Sequence, residues 1–357
     1  MHDAPAPVSD ITYEDLAQLE QEFDDAELQT LREQHKIYAP LYKKRQEVVA
    51  KIPNFWALVL EQAPTEFENY VTPSDSQVFA EALKSIEVER FEINEPNGSP
   101  RSVIIRFRFD PNNEFFEDEV LEKRFWHRRA LDGWSGIVSE PVKIHWKKGK
   151  DLTQGLTDAA VDLFAARKKQ DAAAQNGSSN GSSKASKASK ITKLPEYKAI
   201  LNKIDTNTEA SLSFFTWFGF ISSHGYVTAE ESAEASKKEA EKREKRAKGE
   251  KVEEEEEAEI DDDDDFFDES EICPNGEDVA EIIVNELWPQ AIKYFTAAQE
   301  ADDDDLSELS DAELDDDDDD DLDEPVDIRS LVRGKGKKEQ NGNNGSSASP
   351  PPKKRRT

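Results

Sequence analysis

Apolar residues return every three or four positions along the first fifty residues, which predicts a helix from Val8 to about Ile52. Thr12 and Asp15 stand at capping-box spacing near its start. Leu16, Leu19, Phe23 and Ala26 hold one phase; after a shift, Leu28, Leu31, His35, Tyr38 and Tyr42 resume the repeat as far as Val49 and Ile52. At 1.5 Å per residue the stripe is about 60 Å long, more than any compact core in the rest of the folded chain could cover. A second copy of the same helix is the economical cover, parallel or antiparallel, with Leu16, Leu19, Phe23, Leu28, Leu31, Tyr38, Tyr42 and Val49 as dimerisation residues. The alternative is a helix lying across its own globular domain. Pro40 lacks a backbone N–H, so a bend or break near Ala39 is expected, giving a short helix followed by a longer one.

Beyond Pro53 the period changes to two. Val103, Ile105, Phe107 and Phe109 fall on one face and Arg106 and Arg108 on the other; Val142, Ile144 and Trp146 alternate with Lys143, His145 and Lys147. "EPNGSP" ahead of Val103 contains the Asn-Gly turn signal, and the phase flip between Ile86/Val88 and Phe91/Ile93 suggests a bulge. With the run from Val120 to His127, this predicts an antiparallel sheet of about four strands, apolar on one side and covered there by helices. The fold class is α+β: a long N-terminal dimerisation helix plus a domain built on that sheet.

Further along, Gln175 to Lys190 is a flexible linker by composition. A helical segment near Tyr197 to Ile204 and the aromatic run "SFFTWF" at Ser213 to Phe218 follow it. Ala229 to Lys251 alternates charges without an apolar stripe, which reads as a solvated helix or as disorder. Val279, Ile282, Ile283 and Leu287 then share a helical face before Pro289. The expected division is a disordered stretch at 1–10, backbone helices at 11–56, a folded domain at 57–300 with a linker at 170–193 and a charged insertion at 229–271, and a disordered tail at 301–357.

Charge sharpens this picture. Of 79 acidic residues, 14 lie between Glu253 and Glu271 and 17 between Glu300 and Glu324, with no Lys or Arg in either block. Removing those 31 leaves 48 acids against 46 Lys+Arg, so the body is nearly neutral although the net charge is −33. Such runs repel themselves, stay solvated and attract a strongly basic partner. The single Cys273 excludes an intramolecular disulfide and fits reducing conditions, and no apolar run is long enough for a membrane helix. No membrane contact is expected. The C-terminal cluster Lys353, Lys354, Arg355 and Arg356, with Arg333, Lys335, Lys337 and Lys338 upstream, fits a two-part nuclear import signal; a basic strip folding back on the acidic block is the alternative. Nuclear residence is expected, with shuttling to the cytoplasm an open option.

"KRQEVVAKIPNFW" (44–56), "FFEDEVLEKRF" (115–125), "IHWKKGKDLT" (144–153), "SFFTWF" (213–218) and "ELWPQAIKYF" (286–295) occur in this order ahead of an acidic tail. Together they strongly resemble the nucleosome assembly protein family, nearest its SET oncoprotein-like branch, over roughly residues 16–324. The resemblance implies a histone chaperone that dimerises through a long backbone helix. It carries an "earmuff" α/β domain on each arm and binds core histones with a concave underside and acidic tails. It nominates Thr216, within the matched aromatic motif, and Glu300, Asp302, Asp303, Asp304, Asp305, Glu308, Asp315, Asp316, Asp317 and Asp318 in the tail as histone-binding residues. The sequence departs from the family pattern at Gly219 and Phe220 and through the insertion that follows.

Candidate catalytic chemistry is thin. The five histidines are scattered, His127 and His145 on strand patterns, and no phosphate-binding Gly loop, triad or metal cluster is present. No enzymatic activity, cofactor, metal or small-molecule substrate is expected, and histone exchange would proceed without ATP. Lys143, Lys147, Lys148 and Lys150 invite weak DNA contact, although a solvated strand face is the plainer reading. Two other functions stay open: a phosphatase-inhibiting or transcriptional cofactor using the same acidic surface, and a cytoplasmic acidic scaffold.

Overall fold

A computed structural model describes residues 13–95, 98–176, 191–222, 227–247 and 269–308. Helix α1 (Tyr13–Val49) runs unbroken through Pro40. The expected break does not occur because Lys36 and Pro40 are both exposed, so water can take the carbonyl that proline leaves unbonded. The proposed Thr12 cap lies outside the described residues. The chain turns at Asn54, whose positive φ of 55° suits asparagine, and enters α2 (Phe55–Glu61), buried from Phe55 to Leu60.

Short α3 (Thr65–Glu68) leads to α4 (Pro73–Ala82), which opens with a full capping box between Thr72 and Asp75 and a proline in its first turn. Asp75 is buried, yet it accepts from the Thr72 amide and hydroxyl, the Ser213 hydroxyl at 2.6 Å and the Phe214 amide at 2.8 Å. Burial pushes its carboxyl up, and those four donors pull it back. One side chain thus caps a helix and pins the aromatic run to it.

Strands β1 (Leu83–Glu89), β2 (Val103–Phe109), β3 (Val120–Arg129) and β4 (Ser135–Ser139) form one antiparallel sheet in chain order. The strand count agrees with the sequence reading, but the fourth strand does not. Residues 142–146 alternate as expected, with Ile144 buried and Lys143 and His145 exposed, but their backbone is spent elsewhere. Val142 donates to the Phe218 carbonyl at 2.7 Å, Lys147 to that of Phe115 at 2.8 Å, and Trp146 bridges Phe116. The sheet position is taken by β4, joined to β3 through an Asp132-Gly133 turn with Gly133 at φ 95°. The bulge also moves: the register shifts between Leu83 and Ser85, while the phase flip at Phe91 is the turn that ends β1.

The inner face of the sheet packs on α2, α4 and the 3₁₀ turn Phe214–Gly219, while the preceding turn Ala210–Leu212 buries Ala210 in a second cluster. "SFFTWF" is therefore core: Phe214, Phe215, Trp217 and Phe218 are buried against Phe79, Phe107, Phe116 and Phe125. Helix α5 (Leu156–Asn176), which the sequence reading did not separate from the linker, pairs with α6 (Pro195–Thr206) in that second cluster, through Leu156, Leu163, Tyr197 and Ile200. Of the linker expected at 175–190, Gln175 and Asn176 end α5, and the rest lies outside the described residues.

Helix α7 (Ala229–Ala247) is a helix, but not a fully solvated one. Ala235 is buried, the Ser232 hydroxyl accepts from the Arg129 amide at 3.0 Å, and the helix packs on β3. Helix α8 (Gly276–Ile282), a π turn at Ile283–Leu287 and α9 (Ala291–Glu308) close the domain, with α9 against α2. Among the described residues, no helix is long and apolar enough to cross a membrane.

Candidate functional site

Two apolar stripes, not one, run along α1. The half-turn pattern that looked like a phase shift is a change of partner. Leu28, Leu31 and Tyr42 are half-buried and Val49 is buried, all on the side facing the chain's own domain. There the Tyr42 ring packs tilted against Trp288 with centroids 4.2 Å apart, His35 lies near Arg90 and Glu89, and Arg101 pairs with Asp24 at 2.6 Å and Glu27 at 2.8 Å. Roughly a third of a turn away, Leu16, Leu19, Phe23 and Tyr38 are exposed, joined by Ile37, Leu41 and Val48, which the sequence reading passed over. Phe23 is 70% exposed and Ile37 64%. The eight residues first grouped as a dimer face thus divide equally between the two sides, and the exposed stripe gains three.

Arg45 sits where α1 meets the domain. It is buried, its Nη1 donates to the carbonyls of Trp288 (2.6 Å) and Pro289 (3.1 Å), and its guanidinium lies over the rings of Trp288, Tyr42 and Trp56. Burial pulls its pKa down to about 10, which leaves it charged at neutral pH. These contacts fix the angle at which α1 leaves the body.

The acidic segments meet the folded domain at two places. Glu300 is exposed on α9, whose inner side is held by buried Ala291, Tyr294 and Ala298 and by Phe295 stacked on Phe55 at 4.8 Å. The helix continues to Glu308, past the boundary expected at 300/301, so the backbone of Asp302, Asp303, Asp304, Asp305 and Glu308 is carried on a packed element. Asp315, Asp316, Asp317 and Asp318, like Lys353, Lys354, Arg355 and Arg356, lie outside the described residues. Glu277 on α8 is pushed up by burial and by the charges of Glu281 and Asp278. Tyr294 donates to Glu286 at 2.7 Å, and burial with that bond pushes its phenol up to about 12.

Thr216 is 2% exposed and its hydroxyl donates to the Ser213 carbonyl at 2.8 Å, so the conformation gives a cargo protein nothing to touch. The lysines of the expected DNA patch are largely spent at home. Lys143 pairs with Asp158 at 3.4 Å, Lys147 donates to the Asn113 carbonyl, and Lys150 reaches Glu114 at 4.0 Å and lies over Phe115. His145 pairs with Asp118 at 2.8 Å. Only Lys148 of the four lysines carries no such contact among the described residues.

Comparison with known proteins adds identity to geometry. The family model described as nucleosome assembly protein matches residues 49–298. A putative nucleosome assembly protein of Schizosaccharomyces pombe is 42% identical over 151 residues, 39% of this chain and 59% of that protein. Protein SET of Drosophila melanogaster is 34% identical over 127 residues, 33% of this chain and 42% of its own length. The chain therefore spans about half the length of these two relatives. Among solved structures, that of Vps75 is 21% identical with a TM-score of 0.47, covering 80% of this chain and 96% of that one.

Proposed function

The chain belongs to the nucleosome assembly protein family, and from that premise we propose that it is a dimeric histone chaperone working in the nucleus. Chaperones of this family are not enzymes, and the proposal asks for no bond to be made or broken. The observation that carries it is the root of the second acidic block: it begins at Glu300 on a helix whose other side is cemented into the core. Histones hold DNA by neutralising phosphates and releasing counterions, and a run of carboxylates competes for the same cations. One exposed ion pair contributes at most about 1 kcal/mol, so the effect rests on number and local concentration. Glu300, Asp302 to Asp305, Glu308 and Asp315 to Asp318 supply that number. Cargo would be captured quickly, held in a salt-sensitive way and released without ATP when DNA offers a better surface.

Dimerisation is assigned to the outer stripe of α1, through Leu16, Leu19, Phe23, Ile37, Tyr38, Leu41 and Val48. An aliphatic strip of this length facing water is what a second copy of the helix would bury, and the pair would present two acidic segments to one cargo. We do not extend the proposal to DNA, since three of the four candidate lysines are already committed within the chain. The test is retention of core histones on the immobilised protein, with and without residues 300–324, across a salt series. The expected result is strong retention near physiological salt that collapses on deletion and on raising salt. Equal retention by the deleted form would move the function off the acidic block, and no retention by either form would end the histone reading.

A further inference from the structure

Lys123 occupies an inward position of β3 between Leu121 and Phe125, fully buried inside an otherwise apolar face. Its ammonium donates to three carbonyls, those of Glu140 (2.8 Å), Phe218 (3.1 Å) and Phe220 (2.6 Å). Burial pulls the amine down to about 7, against the opposing pull of Glu271. Three acceptors and no donor around the nitrogen form the setting of a protonated lysine. The Phe218 and Phe220 carbonyls belong to the turn where this sequence departs from the family pattern, at Gly219 and Phe220.

Glu271, the last residue of the first acidic block, comes to the same turn. Its carboxylate accepts from the Ile221 amide at 3.0 Å and the Cys273 amide at 2.9 Å. Burial pushes it up to about 7, while those amides and Lys123 favour its charge. Immediately downstream, the Trp217 indole donates to the Gly276 carbonyl at 2.8 Å. A side chain at Gly276 would meet the Phe220 ring at 2.3 Å, so the turn and the start of α8 are fitted face to face. Beside them the Cys273 thiol, hydrogen-bonded to Thr216, is pushed by burial and then by Glu271 to about 12.

We propose that Lys123 and Glu271 form a buried two-sided latch, Lys123 holding the Phe218 and Phe220 carbonyls and Glu271 the Ile221 amide of one turn, which fastens the downstream end of the charged insertion to that turn and with it seats α8. The latch is a conformational device independent of what the protein carries. Its consequence for the proposed function is positional: the first acidic block ends, and the helices leading to the second begin, at one fixed seat. Removing Lys123 leaves the Phe218 and Phe220 carbonyls without their donor, removing Glu271 leaves the Ile221 and Cys273 amides without their acceptor, and either loosens the segment from Glu271 to Gly276.

Cys273, the sole cysteine of the chain, is a built-in reporter. Alkylation of the full-length protein under native conditions should be slow, and Lys123→Met should speed it at least about tenfold, the loss expected for a hydrogen bond to a charged group, although removing that cation alone would raise the thiol's pKa and slow the reaction. Glu271→Gln should speed it as well, by loosening the segment and by removing a charge that disfavours the thiolate, with far-ultraviolet circular dichroism unchanged in both. Should either variant fail to fold, hydrogen exchange of the unaltered protein decides the matter. A latch predicts that the Ile221 and Cys273 amides open together, with protection factors agreeing within about threefold. Unchanged alkylation in a folded Glu271→Gln variant, or two amides that open independently, would overturn the proposal; neither readout involves histones.

Discussion

Phe23 and Phe215 are the same side chain in opposite circumstances: one is 70% exposed on the outer side of α1, the other 0% exposed at the centre of the domain. The difference separates what the chain completes alone from what, on the proposed reading, a second copy would cover. Around Phe215 the aromatic run, the sheet and α4 close on one another, and a buried carboxylate, Asp75, has every bond it needs. Along the outer face of α1 the apolar residues recur with helical regularity and stay 41–70% exposed. The inner face of the same helix shows that this is not neglect, since it is fitted to the body by Tyr42, Arg45 and Val49.

The contrast breaks most visibly at the core. Phe215→Ala should cost about 3–5 kcal/mol of stability, measured by denaturant unfolding, because the void is walled by rings that cannot collapse into it. The shift of its midpoint from that of the unaltered protein should be the same at every protein concentration. Phe23→Glu combined with Leu41→Glu should instead leave the body's unfolding nearly unchanged and dissociate the dimer. Loss of about 3 kcal/mol or more, at 1.5–3 kcal/mol per apolar residue, weakens association over a hundredfold. A concentration series of light scattering would show it, and a double variant that stays dimeric would remove the stripe from the interface.

Titration sharpens the comparison further. Burial, then Arg101, pulls His127 down to about 4, below the 6.5 of an unfolded chain. The unfolded chain therefore binds the extra proton first, so stability is lost as pH falls from about 6.5 to 4 and levels off below that. The ceiling is about 3 kcal/mol, reduced because the ring keeps some solvent contact. Thermal melts of the native protein and of His127→Gln across this range should differ in slope, at every protein concentration. The smallest effect is expected where α1 touches its own domain through exposed charge. Arg101→Ala removes the pairs with Asp24 and Glu27, which are part-exposed, and should cost under about 1 kcal/mol, less at high salt.

Much of this division was legible from residue pattern. Period-two alternation placed β2, and spacing placed α1, α6 and α8, because each of these elements has one wet and one dry side. β4 was not legible: Ser135–Ser139 is short and contains a glycine, and it is the Asp132-Gly133 turn that brings it to the sheet. Residues 142–146 alternated convincingly for a different reason, being half-buried without lying in the sheet. Continuity through Pro40 depends on where solvent lies, which spacing does not record. Of the latch, one sign was present: Lys123 falls in phase with Leu121 and Phe125, where a lysine has no business unless something answers its charge. That Glu271 comes near is a product of tertiary packing across nearly the whole domain, and no local pattern carries it.

The central claim is that two copies, joined at the outer face of α1, hold basic cargo with acid segments rooted in a rigid body. Sedimentation velocity of the full-length protein, alone and with stoichiometric core histones near physiological salt, tests it directly. The account predicts a species of twice 40.4 kDa that shifts to a heavier boundary when histones are added. A 40.4 kDa species at micromolar concentration, with histones sedimenting apart from it, would contradict the account.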